Sequence, residues 1–182
     1  MIKWLKMRKQ GALVLLLVWL LNPMEAFSQS DVFAIARTGT LEQIQAFTEL
    51  HPDAVNALND DGNSPLIIAC YKGNYEVADY LIKKVKDINY ASAMGTALMA
   101  ATVKNDAAIV KLLLENNADP DGTDKNGTTA LHYAVNFKCY EIAELLITHH
   151  ANVKLTDIRK QTAFDYAVTA NDDKLIQILK SK

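Results

Sequence analysis

Thr129-Ala130-Leu131-His132-Tyr133-Ala134-Val135 (TALHYAV), followed shortly by Tyr140–Thr148 (YEIAELLIT), is the stretch that decides the fold. The Thr129 hydroxyl stands just ahead of an apolar run, where a side-chain oxygen caps a helix start. In the second segment Ile142, Ala143, Leu145, Leu146 and Ile147 make one broad apolar helical face. The predicted unit is therefore two short helices and a turn. Neither helix is long enough to be stable alone, because helix nucleation is costly and a single pair cannot bury its own apolar face. Neighbours of the same kind are required.

The sequence supplies them. Alanines recur at Ala36, Ala69, Ala101, Ala134 and Ala167, at spacings of 33, 32, 33 and 33. Three residues before each stands Phe33, Leu66, Leu98, Leu131 or Phe164. Aliphatic pairs follow in phase: Leu81-Ile82, Leu112-Leu113-Leu114, Leu145-Leu146 and Ile178-Leu179. Small alanines let adjacent units approach closely, and the paired aliphatics fill the layer between them. A period of this length is the signature of a helical solenoid, so the expected fold class is all-α.

These residues closely resemble the ankyrin repeat, whose T-P-L-H-x-A mark is present as Ser64-Pro65-Leu66-Ile67-Ile68-Ala69 (SPLIIA), Thr96–Ala101 (TALMAA), Thr129–Ala134 (TALHYA) and Thr162–Ala167 (TAFDYA). The G-A-D-V-N segment that follows in that family is traceable in Asp87-Ile88-Asn89, Ala118-Asp119-Pro120-Asp121 and Ala151-Asn152-Val153. The resemblance implies a stack of about five repeats over 29–182, at 31–60, 61–92, 93–124, 125–157 and 158–182, with capping terminal units. The first unit lacks the T-P-L-H start but keeps Ala36, Gly39 and Asp53-Ala54-Val55-Asn56. Met94 and Lys160 stand where the family has a turn glycine, and Asn105, Lys138 and Asn171 replace the glycine between the helices. The third unit is one residue short, which predicts a tighter or irregular turn. His132 is the single motif histidine, and the resemblance implies that it hydrogen-bonds loop backbone.

Residues 1–28 read differently. Lys3, Lys6, Arg8 and Lys9 form a positive head, and Gly11 to Leu21 (GALVLLLVWLL) is an almost unbroken apolar run. Asn22-Pro23 ends it, and Ala26-Phe27-Ser28 offers small residues flanking a cleavage point. This is the three-part layout of a secretory signal, with the mature chain expected to begin near Gln29. The run has about half the roughly 20 residues that a spanning helix needs. The expectation is a periplasmic or secreted protein with no membrane attachment after cleavage. A tethered scaffold with an uncleaved signal is the alternative.

The chemistry-bearing residues point away from catalysis. With a net charge of -2 the chain offers no extended basic stripe for nucleic acid. Asp119 to Asp124 fails as a calcium loop, because its sixth position is Asp124 and its twelfth is Ala130. No Cys-x-x-Cys, His-Glu-x-x-His, phosphate loop or Gly-x-Ser-x-Gly is present. No cofactor, catalytic residue or metal ligand is expected. A small metal-dependent or enzymatic protein using His149, His150 and nearby acids is the competing reading. Cys70 and Cys139 fall two units apart, about 20 Å at ordinary helix spacing, so two free thiols are expected.

The resemblance places a binding surface on the concave face of the stack. Carried onto this sequence, it comprises Tyr71, Lys72, Val103, Lys104, Asn136 and Phe137, bordered by Tyr133 and Tyr166. Exposed aromatics are favoured interface anchors, since they bury much area at small entropic cost. Tyr133 and Tyr166 are equally readable as packing between first helices. The expected function is an exported monomer that binds another protein.

Overall fold

The computed structural model describes residues 29–180. Among the described residues ten α-helices pair off. They are α1 (Gln29–Thr38) with α2 (Leu41–Leu50), α3 (Pro65–Lys72) with α4 (Tyr75–Ile82), α5 (Ala97–Val103) with α6 (Ala107–Glu115), α7 (Ala130–Asn136) with α8 (Tyr140–Thr148), and α9 (Ala163–Thr169) with α10 (Asp173–Lys180). A short 3-10 turn, Pro52–Asn56, follows α2. Odd-numbered helices pack in one row and even-numbered helices in a second. The result is the expected all-α repeat solenoid. Among the described residues no helix is long and apolar enough to cross a membrane.

The repeating sequence positions become repeating layers. Ala36, Ala69, Ala101, Ala134 and Ala167 are all completely buried between inner helices. Leu81, Leu113, Leu146 and Leu179 form the matching ladder in the outer row, again buried. Each of Ser64, Thr96, Thr129 and Thr162 accepts a hydrogen bond from the backbone N–H three residues on, capping α3, α5, α7 and α9. Pro65 fits the first turn of α3, where its missing N–H has no intrahelical partner to lose.

The turn between inner and outer helix demands a left-handed residue. Gly73 meets it at φ 72°, and Asn105, Lys138 and Asn171 meet it at 55°, 56° and 51°. The three departures at this position keep the geometry and accept its steric cost, smaller for asparagine than for lysine. At the outer tip Gly62, Gly127 and Lys160 share the same left-handed state. In the shortened third unit that role passes to Gly95, at φ 103°, rather than to Met94. With one residue fewer, Ser92 and Gly95 close directly on each other, whereas Thr123 pairs with Thr129 and Thr156 with Thr162 elsewhere. Met94 is left pointing outward, 74% exposed.

Side chains tie the loops together at the repeat period. The tip turns are organised by Asn59, Ser92, Asp124 and Asp157, whose side-chain oxygens accept backbone N–H groups two and, save for Ser92, four residues on. On the opposite edge, Asn56 accepts from Lys86 N–H, Asn89 from Asp119 N–H and Asp121 from Asn152 N–H, at 2.9, 2.8 and 2.7 Å. These are the positions inherited from the D-V-N segment. They link each loop to the next.

Both cysteines are free, as expected, and both are buried. Burial pushes both thiols up, so neither is a reactive thiolate.

Candidate functional site

The inner row of helices and the tip turns enclose a groove of about 430 Å³. It runs from Arg37 on α1 to Phe137 after α7, so four consecutive repeats contribute to it. Its floor includes the third position of α3 and of α5. In the fourth repeat that position holds a histidine occupied with the turn, but in the second and third it holds Ile67 and Met99, both buried apolar side chains.

The walls carry the aromatics. Tyr71 at the end of α3 is 46% exposed and Phe137 at the end of α7 is 50% exposed. Phe137 lies nearly parallel to Tyr133, with ring planes 4° apart and centroids 6.2 Å apart. This pair follows from the (i, i+4) spacing on one helical face. Val103 and Met94 complete an apolar wall between Tyr71 and Phe137. Lys72 and Lys104 lean over the Tyr71 ring, with ammonium groups 5.6 and 5.3 Å from its centroid. The tip-turn rim carries Asp61 and Asn63.

Five of the residues expected at a binding face, Tyr71, Lys72, Val103, Tyr133 and Phe137, line this groove. Lys104 stands at its edge through Tyr71. Asn136 is exposed but is not among the residues that line the groove, and neither is Tyr166. Ile67, Met99, Met94 and Arg37 line it without having been singled out from sequence. An apolar residue in place of the motif histidine is the signal that marks Ile67 and Met99. Met94 owes its position to the shortened turn, and Arg37 stands in the last turn of α1.

Tyr133 and Tyr166 also have a structural task. Each donates its hydroxyl to the tip aspartate of its own repeat, Tyr133 to Asp124 and Tyr166 to Asp157, both at 2.8 Å. Burial and the Asp124 carboxylate push the Tyr133 phenol up to about 12. Asp157 accepts from Gln161 N–H, the Tyr166 hydroxyl and Arg159, and these bonds hold its carboxyl well below the usual carboxylate range. Arg159 also donates to the Tyr166 hydroxyl and stacks over that ring at 5.3 Å. Tyr133 is thus both a groove wall and a turn clamp, while Tyr166 is a clamp, edge-on to His132 at 5.6 Å.

The histidine pair proposed as the competing metal site is used for chain reversal. His149 Nδ1 lies 2.9 Å from the Leu145 carbonyl, and His150 takes the left-handed state at φ 68°. Among the described residues no group of three His, Cys, Asp or Glu side chains is arranged to hold a metal ion.

A family model described as Ankyrin repeats (3 copies) matches residues 10–92, 32–124 and 98–182. The rat Ankyrin repeat and SAM domain-containing protein 6 is 34% identical over 102 residues, 55% of this chain and 12% of its own length. A Putative ankyrin repeat-containing protein of Treponema pallidum is 30% identical over 154 residues, 83% of this chain and 51% of its own. The Probable 26S proteasome regulatory subunit p28 of Saccharomyces cerevisiae is 27% identical over 143 residues, 75% of this chain and 63% of its own. The chain thus spans less than two thirds of each of these relatives.

Proposed function

This chain belongs to the ankyrin-repeat family, whose repeats generally serve as protein-interaction modules, and on that premise we propose that it is an exported, non-enzymatic protein that captures a partner protein in its concave groove. The observation that carries the reading is the pair of exposed aromatics, Tyr71 and Phe137, flanking one apolar groove. A monomeric surface seldom leaves large rings together without a use, and such rings are the residues that dominate interface energies. The repeat scaffold behind them is rigid, so little ordering cost accompanies binding. Export is supported by the basic head and apolar run of residues 1–28, which lie outside the described residues.

Crosslinking in the source cells, followed by identification of captured proteins, tests both parts. Wild-type protein is expected to crosslink a defined partner through the concave face. The Tyr71→Ala/Phe137→Ala double variant is expected to lose about tenfold or more of that capture, since truncated hot-spot aromatics typically cost at least 2 kcal/mol. Its urea midpoint should stay near wild type, because both side chains are half in solvent. Unchanged capture would falsify the groove assignment. The intact mass of the recovered protein should correspond to a chain beginning near Gln29; a full-length mass would replace export by tethering.

A further inference from the structure

The groove is electrically lopsided. Lys72 and Lys104 place two ammonium groups within 6 Å of a single ring, Tyr71. Arg37 lines the same groove from the preceding inner helix. Among the described residues none of these three cations forms an ion pair, whereas Lys138 lies 3.7 Å from Asp172 and Arg159 lies 3.0 Å from Asp157. The acid that does line the groove, Asp61, stands on the tip-turn rim. In a chain of net charge -2, a cluster of unpaired cations is a local reversal of sign. Attraction to the ring offsets only part of the repulsion between the two ammonium groups. A carboxylate seated between them would relieve it through charge-assisted hydrogen bonds.

Beside these cations the groove wall is apolar, formed by Tyr71, Met94, Val103 and Phe137, and it takes an apolar side chain. These apolar walls disfavour a nucleic acid, which would want cations along its whole length.

We propose that the groove binds a segment of the partner protein in which an Asp or Glu lies within a few residues of a large apolar side chain. The carboxylate is held by Lys72, Lys104 and Arg37, and the apolar side chain sits between Tyr71 and Phe137. This rests on the protein-binding reading above and adds the chemistry of the segment bound.

The test is to pan a random linear peptide library on the purified wild-type protein and, in parallel, on the Tyr71→Ala/Phe137→Ala variant. Peptides retained by the first and not the second are expected to combine an acidic with a large apolar residue. The dissociation constant of a selected peptide, measured by fluorescence anisotropy, should rise about tenfold or more in Lys72→Glu/Lys104→Glu, and should rise with added sodium chloride. Groove-dependent peptides without acidic bias, or affinity unmoved by the charge reversal, would overturn this inference and leave the binding groove standing. Failure to retain any peptide that depends on Tyr71 and Phe137 would overturn both.

Discussion

Leu113→Ala is expected to lower the unfolding free energy by about 2–5 kcal/mol, the largest loss from any single truncation in the outer row. Leu113 is fully buried on α6, between α4 and α8, and it is an interior rung of the Leu81–Leu113–Leu146–Leu179 ladder. The energy has two sources. The removed carbons lose their transfer free energy, and the surrounding helices, held on both sides, cannot collapse into the space left behind. A repeat stack adds a further consequence. Each unit contacts only its neighbours, so weakening the central unit weakens two interfaces together. With total stabilities of about 5–15 kcal/mol for ordinary domains, the urea transition should shift markedly and broaden as the two ends begin to unfold separately. The same substitution at Leu179, at the end of the ladder, should cost less and leave the transition sharp. Equal losses at the two positions, or a loss below about 1 kcal/mol at Leu113, would contradict the nearest-neighbour account.

His132→Ala should cost about 2–4 kcal/mol and should act mainly on the last helix pair. The imidazole is buried, with Nε2 3.1 Å from the Gln161 carbonyl in the following tip turn. On the other side Nδ1 receives the Thr129 backbone N–H at 3.2 Å and lies 2.8 Å from the Thr129 hydroxyl. A carbonyl needs a donor and an N–H needs an acceptor, so the ring is neutral with its proton on Nε2. Alanine leaves the Thr129 N–H without its acceptor in a site shielded from water, reduces the Gln161 carbonyl to the single bond it accepts from Asp157 N–H, and cuts the side-chain tie between the two repeats. Hydrogen exchange is the informative measurement. Amides of α9 and α10 should lose protection while those of α3 and α4 keep theirs, because Ile67 and Met99 make no comparable tie there. Uniform loss along the stack would show that His132 supports the whole fold rather than one junction.

Much of this architecture is legible in the sequence because a solenoid writes each layer repeatedly. The alanine ladder and the threonine caps recur at a near-constant spacing, so each is confirmed by its counterparts in other repeats. The left-handed turns at Asn105, Lys138 and Asn171 were likewise readable from their register with Gly73. Within an aliphatic run the register is finer than the pattern. Leu112, Leu113 and Leu114 look alike on paper, yet only Leu113 is wholly enclosed while Leu112 remains partly open.

The groove was legible in part. Tyr71 and Phe137 end inner helices at positions that point outward in every repeat, and they are exposed. Tyr133 and Tyr166 occupy the same register but divide: one lines the groove and the other lies beyond it. The difference lies in their surroundings, since Tyr133 stacks on Phe137 while Tyr166 is enclosed by Arg159, Asp157 and His132. No local pattern encodes that choice.

By itself the sequence determined the all-α repeat stack, its period and its buried ladders, because those depend on which residue types recur at one spacing. Tertiary structure alone decided the groove's extent: that Met94 and Arg37 join it, and that Lys72 and Lys104 share one ring without a carboxylate. Periodicity reports what each repeat has in common, whereas a binding surface is assembled from the positions at which neighbouring repeats differ.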